Sequence, residues 1–321
     1  MRPFPLIGAL VTLALLAVLP QMAGALGAPA TTQIATRVLI YGIAAASLNF
    51  ALGYGGMVSF GHAAFFGIGG YVVAILYSHW FADAPLLGVI PGTNQLLITL
   101  PLAVLVAGVF AALIGALSLR TGGVQFIMIT LAFAQMLFFL FVSLKAYGGE
   151  DGLSIRRPNE FFGLNLRDRE TMYYLTLGVA ALFFAGLHRL VNSSFGAMIA
   201  GIRQNERRME ALGIATYRYK LFAFILSGMG VGLAGALMAN AMRYVSPDMM
   251  HWSRSGELMI MVILGGTGTL FGPLIGAAVL LVLETWLAGW TENWNLGVGI
   301  VLLAVVMFSR GGVSALLRRR K

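Results

Sequence analysis

Long apolar runs, separated by short polar segments, follow one another along most of the chain. A transmembrane α-helix needs roughly 20 predominantly apolar residues to cross the hydrocarbon core of a bilayer. The runs that meet or approach this length cover residues 5–26, 36–54, 62–82, 95–118, 123–146, 172–190, 218–242, 256–287 and 293–309. This pattern predicts an all-α, polytopic membrane bundle with eight to ten transmembrane helices.

Glycine-rich breaks interrupt this pattern at two places. The eighth run is too long for one crossing, so we expect either two short helices or one broken helix there. It is interrupted by Gly265, Gly266, Gly268, Gly272 and Pro273. The other break covers residues 53–61. Non-helical backbone persists in a membrane only where it is buried in protein or lines a cavity, so we expect both breaks to line an interface with a second subunit or a pathway.

Composition supports the membrane interpretation and excludes several kinds of site. Of the 321 residues, 59% are hydrophobic and 10% are charged, whereas soluble domains carry roughly 25% charged residues. We therefore treat residues 1–321 as one membrane domain. The chain has no cysteine, which excludes disulfides, thiolate metal sites and cysteine nucleophiles. No two histidines have the spacing of metal ligands, so no metal site is expected.

The distribution of basic residues predicts the orientation. The net charge of +9 is concentrated in short loops and at the C-terminus, which the positive-inside rule places in the cytoplasm. Loop 191–217 and both termini are accordingly expected to be cytoplasmic, and loop 147–171 periplasmic, in a bacterial inner membrane. No basic stripe with interleaved aromatic residues indicates nucleic-acid binding. The N-terminus resembles a signal peptide, but the run 5–26 is longer than a usual signal core, so we expect it to remain uncleaved.

The loop 191–217 carries the signals of a short helix. Asn205 is a good N-cap, Glu206 lies in the first turn where the helix dipole favours an acid, and Gly213 is suited to end the helix. We expect this helix to lie parallel to the membrane. The pattern alone leaves two interpretations open, a docking surface for a soluble partner and a helix that packs on the base of its own bundle.

The side-chain pattern of this helix is amphipathic. Met209 and Leu212 are expected on one face, and Arg207 can pair with Glu210 at i, i+3.

Five stretches of the chain carry a resemblance to a known family. The sequence Glu-Ala-Leu-Gly at 210–213 is similar to the coupling motif of ATP-binding cassette (ABC) importer permeases. Four other stretches resemble the branched-chain amino acid permeases of the LivM type, in the family's order. They lie at residues 48–67, 119–133, 148–153 and 265–273. The chain departs from the family pattern at Met57 and Glu150, two positions that could bear on substrate choice.

The resemblance implies a transport subunit rather than an enzyme. It implies a second, LivH-like permease, two cytoplasmic ATPases and a periplasmic binding protein as partners. ATP and Mg²⁺ would be bound by the ATPases, because none of the lysines of this chain follows a glycine as a P-loop requires. The implied cargo is leucine, isoleucine and valine. The implied ATPase-coupling residues are Arg203, Gln204, Asn205, Glu206, Arg207, Glu210, Ala211, Leu212 and Gly213.

Polar residues within the spans are candidates for the transport pathway. They are Asn49, Ser59, His62, Gln125, Thr130 and Gln135. For His62 the competing interpretation is a neutral histidine that holds a backbone carbonyl at the interface, and for the glutamines it is hydrogen bonding between helices. The G-x-G-x-x-G match at 230–235 lies inside an apolar run, where small residues at Gly228, Gly232 and Ala236 favour close helix packing over nucleotide binding.

Three alternatives stay open. The same class of importer could carry urea, short amides or aromatic acids, as resembling permeases do. An ion-coupled secondary transporter would need charged residues within the spans, which hold almost none besides Glu284. A membrane-embedded enzyme would need clustered His, Asp or Glu at one interface, and the sequence has no such cluster.

Overall fold

The computed structural model describes residues 16–21, 30–85, 88, 91–290, 296–300 and 303. Within this part of the chain the fold is a bundle of helices. Their bounds are α1 Ala30–Asn49, continued by a π-helical turn Phe50–Tyr54, α2 His62–Phe81, α3 Leu96–Ser118, α4 Val124–Ser143, α5 Arg169–Val191, α6 Ser194–Gln204, α7 Glu206–Ala211, α8 Thr216–Met242, α9 Trp252–Gly265 and α10 Gly272–Ala288.

Six of these helices are long and apolar enough to cross a membrane. They are α1 with its π-helical turn, α2, α3, α4, α5 and α8. Their bounds agree with the predicted runs to within a few residues, except that α1 begins at Ala30, six residues before the run 36–54. The chain is therefore a polytopic helical membrane protein, as predicted. Most of the runs 5–26 and 293–309 lies outside the described residues.

The predicted eighth run forms two helices rather than one. Helices α9 and α10 have 14 and 17 residues, shorter than the roughly 20 needed to cross a bilayer. They pack antiparallel, with the backbone of Gly265 against Gly272 and that of Gly276 against Met261. The two helices thus form a hairpin whose tip is residues 266–271, here called the hairpin tip.

Small residues of α8 bring the central helices into close contact. A Cβ atom on Gly232 would collide with the Cβ of Ala107 in α3, and one on Gly235 with the carbonyl of Phe66 in α2. Gly228 packs in the same way against Ala111. The prediction that this glycine pattern serves helix packing is confirmed.

The two long loops lie at opposite ends of the bundle. In the predicted loop 147–171, β1 (Leu153–Ser154) pairs antiparallel with β2 (Tyr244–Val245), which follows the C-terminus of α8. Helices α6 and α7 instead precede the N-terminus of α8. The loops thus lie at opposite ends of α8, and the side of the membrane on which each lies stays a prediction. Helices α6 and α7 lie at what we call the basic end, together with Arg207, Arg208 and Arg218.

Candidate functional site

Helix α7 is capped at both ends as the sequence predicts. The side chain of Asn205 accepts a hydrogen bond from the backbone N–H of Arg208 at 3.0 Å. Gly213 has φ +82°, a left-handed conformation that glycine adopts without strain. Its N–H donates to the carbonyl of Glu210 at 2.8 Å, and that of Ile214 donates to the carbonyl of Met209 at 3.1 Å. These two bonds form a Schellman motif.

Two polar contacts attach α7 to the first turns of α8. The ammonium of Lys220 lies 2.5 Å from the carboxylate of Glu206, and the hydroxyl of Thr216 donates to Glu210 at 3.0 Å. The expected pair between Arg207 and Glu210 is wrong, because the carboxylate of Glu210 turns toward α8. Both acids of α7 therefore serve its position on the bundle.

The outer side of α7 is exposed. Leu212 is 70% exposed, whereas Met209 packs against Gly201 of α6. The expectation that both residues share one face is therefore wrong, because the helix ends at Ala211 and the side chain of Leu212, its C-cap, is turned outward. The other exposed residues among those predicted for ATPase coupling are Arg203, Gln204, Asn205, Arg207, Glu210, Ala211 and Gly213.

Helix α6 connects α7 to the end of α1. Two of its residues, Ile199 and Ile202, are buried. A third, Phe195, stacks its ring on that of Phe50 with centroids 6.4 Å apart. The guanidinium of Arg203 donates a hydrogen bond to the carbonyl of Gly53. The basic end is thereby joined to the π-helical turn, an element that frequently occurs at functional sites.

The two glycine-rich breaks meet at Asn49. This side chain is 1% exposed; its amide donates to the carbonyl of Thr269 at 2.8 Å and accepts from the N–H of Gly268 at 2.9 Å. Gly53 and Gly268 are in contact beside it. Asn49 therefore clamps the hairpin tip to the π-helical turn, next to the bond from Arg203.

Residues 55–61, here called the return segment, run from the π-helical turn back to the middle of the bundle. Nε2 of His62, the first residue of α2, lies 2.9 Å from Oγ of Ser227, the twelfth residue of the 27 in α8. The hydroxyl of Ser227 donates to the carbonyl of Ser47 at 2.6 Å, so Nε2–H of His62 is the donor toward Ser227. His62 is fully buried. Its expected position at the interface is wrong, because its partner Ser227 lies near the middle of α8.

Other buried hydroxyls hold the return segment in place. Thr130 of α4 accepts from the N–H of Phe60 at 3.3 Å, and Ser59 accepts from the N–H of Gly61 at 3.1 Å. Ser255 of α9 donates to the carbonyl of Phe60 at 2.6 Å. These bonds satisfy backbone groups that a helix would otherwise pair internally.

The predicted pathway residues divide into two groups. Asn49, Ser59, His62 and Thr130 are all buried around the return segment and the hairpin tip. Gln125 is exposed, and Oε1 of Gln135 is buried without a partner among the described residues. The glutamines form no hydrogen bond between described helices, against expectation. The assignment of all six residues to a pathway stays a prediction.

Several residues at this site had no signal in the sequence. Ser227 is an isolated serine in an apolar run, and Ser255 lies in the polar stretch 253–257 at the start of the eighth run. Only the fold shows what these two serines bind. Arg254 and Glu257 form an ion pair at 2.8 Å in α9, at the edge of the predicted eighth run. Among the described residues, no three His, Asp or Glu side chains come close enough together to hold a metal ion.

Comparison with known protein sequences places this chain in a family. A family model described as branched-chain amino acid transport system / permease component matches residues 30–308. The high-affinity branched-chain amino acid transport system permease protein LivM of Escherichia coli K12 is 29% identical over 314 residues, covering 90% of this chain and 71% of the relative. LivM of Salmonella typhimurium is 28% identical with the same coverage.

A more distant relative has a different name. The autoinducer 2 import system permease protein LsrC of Klebsiella pneumoniae is 30% identical over 154 residues, covering 44% of each chain. No solved structure matches this chain. Because the family model spans most of the sequence, from α1 to beyond α10, the chain belongs to the family of permease components of branched-chain amino acid transport systems.

Proposed function

We propose that this chain is a membrane permease subunit of an ABC importer that carries leucine, isoleucine and valine into the cytoplasm. Residues 1–321 form a single permease domain in a bacterial inner membrane, with both termini in the cytoplasm. The chain pairs with a second, LivH-like permease, two cytoplasmic ATPases and a periplasmic binding protein. Family membership supports the permease role, and the geometry of the basic end supports the docking of the ATPases.

The observation that carries this proposal is the continuous connection from α7 to the two breaks. The exposed side of α7, with Leu212, is available to a soluble partner. Behind it, α6 reaches the carbonyl of Gly53 through Arg203, and Asn49 joins the same turn to the hairpin tip. Movement of an ATPase docked on residues 203–213 is thereby transmitted to non-helical backbone inside the bundle. This movement switches the pathway from inward-facing to outward-facing.

The chain contributes no chemistry to the reaction that drives transport. The ATPases bind ATP and Mg²⁺, because none of the lysines here follows a glycine in the manner of a P-loop. The role of this chain is to bind the ATPases, transmit their movement and form part of the pathway.

One observation favours a second candidate cargo, autoinducer 2. LsrC, similar to this chain over 154 residues, bears the name of an autoinducer 2 importer, so chains of this kind differ in what their systems carry. Autoinducer 2 is therefore tested as a competitor of leucine uptake, together with urea, short amides and aromatic acids.

The decisive experiment is uptake of radiolabelled leucine by proteoliposomes that contain the full complex, with and without internal ATP. The docking variant is Leu212→Asp, and the matched control is Phe162→Asp, an 80% exposed apolar residue at the opposite end. Burial of a leucine in a partner is worth about 1.5–3 kcal/mol, so loss of it weakens ATPase binding roughly 10- to 100-fold.

The outcomes separate the parts of the proposal. ATP-dependent uptake that is lost in Leu212→Asp together with co-purification of the ATPases, and an intact ATPase complex in Phe162→Asp, would support both class and docking site. Uptake driven by an ion gradient without ATP would contradict the ABC class. Stimulated ATP hydrolysis without leucine transport would contradict only the cargo.

A further inference from the structure

The return segment has an alternating pattern of burial that neither its motif nor the family assignment explains. Met57, Ser59 and Gly61 are buried, whereas Gly56 and Val58 are exposed and Phe60 is half-exposed. Burial thus alternates from one residue to the next between Gly56 and Gly61. One side of the return segment is therefore packed into the bundle, and its outer edge, formed by Gly56, Val58 and Phe60, is uncovered.

This uncovered edge lies at the depth of the membrane-spanning helices. Phe60 is bonded to Thr130, the seventh of the 20 residues of α4. Two residues later, His62 contacts Ser227, near the middle of α8. The edge accordingly runs between the basic end, where Gly56 contacts Arg203, and the centre of the bundle.

Several backbone groups on this edge have no partner among the described residues. Within the described residues, neither the N–H nor the C=O of Val58 forms a hydrogen bond, and the C=O of Gly56 forms none. An unpaired backbone group in contact with lipid costs several kcal/mol, so hydrocarbon is a poor neighbour for this edge. Water or a polar solute is a suitable one.

Aromatic side chains flank these polar backbone groups. The ring of Phe60 lies 6.4 Å from that of Trp252 at the start of α9, and Trp252 is 43% exposed. One turn further along α9, a Cβ atom on Gly256 would meet open space. The uncovered edge therefore continues onto α9 as a surface with both apolar side chains and free backbone donors and acceptors.

We propose that the outer edge of the return segment, with Trp252, is a wall of the translocation pathway that contacts the amino acid in transit. This inference rests on the proposed function. The free N–H of Val58 donates to the carboxylate of the amino acid, and the free carbonyls accept from its ammonium group. The side chains of Val58, Phe60 and Trp252 contact its hydrocarbon side chain. Both charges and the apolar part of a zwitterionic, branched substrate are thereby matched.

Thiol labelling tests whether this edge is in water. The chain has no cysteine, so Val58→Cys introduces a single reactive group. The matched control is Val109→Cys, the fourteenth of the 23 residues of α3, which is more exposed at 58% against 37% for Val58. The complex is reconstituted in nanodiscs, treated with a water-soluble cationic methanethiosulfonate, and the mass of this chain is followed over time.

The expected result is labelling of Val58→Cys roughly tenfold or more faster than of Val109→Cys, because a thiol in apolar surroundings does not ionise and is inert. Exposure alone favours the opposite order. A rate for Val58→Cys equal to or below that of Val109→Cys would overturn the proposal and indicate that lipid or the second permease covers the edge.

Uptake after labelling tests whether the edge belongs to the pathway. Modified Val58→Cys complex should lose ATP-dependent leucine uptake, and modified Val109→Cys complex should keep it. Fast labelling without loss of uptake would overturn the pathway role. Fast labelling in a complex whose unmodified form shows no ATP-dependent uptake would instead contradict the proposed function, since the labelling rate is independent of transport.

Discussion

Replacement of Asn49 by alanine is expected to release the hairpin tip while the rest of the bundle keeps its fold. The side chain makes two hydrogen bonds with the tip, at 2.8 and 2.9 Å. Their removal leaves the N–H of Gly268 and the C=O of Thr269 without partners, at about 1–3 kcal/mol for each group. Even about 2 kcal/mol in total makes local opening roughly 30-fold more frequent.

Hydrogen exchange followed by mass spectrometry measures this opening directly. In Asn49→Ala, the peptide that contains Gly268 should exchange roughly 30-fold faster, and ATP-dependent uptake should fall. The matched control is Asn240→Ala. Asn240 is equally buried at 1% exposure and also makes two hydrogen bonds, to the carbonyl of Ala236 and from the N–H of Asn159.

The control distinguishes a local clamp from a general loss of stability. Asn240→Ala should speed exchange near residue 159 and leave the hairpin tip unchanged. Unaltered exchange at Gly268 in Asn49→Ala, or equal acceleration by both variants, would refute the reasoning.

Three further predictions follow from the described contacts. Arg203→Ala removes the bond to the carbonyl of Gly53, so the complex should keep its ATPases and hydrolyse ATP with little uptake; tight coupling of hydrolysis to uptake in this variant would contradict the link. Gly213→Ala forces a side chain to φ +82°, which costs about 1–2 kcal/mol and should speed hydrogen exchange in α7; unchanged exchange would contradict it. At Asp168, the N-cap of α5, hydrogen bonds from the side chain and backbone of Thr171 lower the carboxyl pKa. The ionised form therefore stabilises the fold above the unfolded pKa of about 3.9. The melting temperature of wild type should exceed that of Asp168→Asn near about pH 6, and the difference should shrink as pH falls below about 4; a difference independent of pH would contradict it.

The sequence by itself determined the class of the protein and much of its local structure. The thickness of a bilayer sets the length of an apolar run, so the six long helices could be located to within a few residues, apart from the start of α1. The caps of α7 at Asn205 and Gly213 were also predictable, because capping bonds join residues only a few positions apart. The small residues of α8 indicated close packing for a similarly local reason.

Only the tertiary structure decided which distant polar groups meet. Asn49 clamps Gly268 across 219 residues of sequence, His62 contacts Ser227 across 165, and Arg203 reaches Gly53 across 150. No period or motif predicts such contacts, because they depend on how helices cross and on where each helix is interrupted. The uncovered edge at Val58 has the same origin, since which side of the return segment stays open depends on the neighbours that cover the other side.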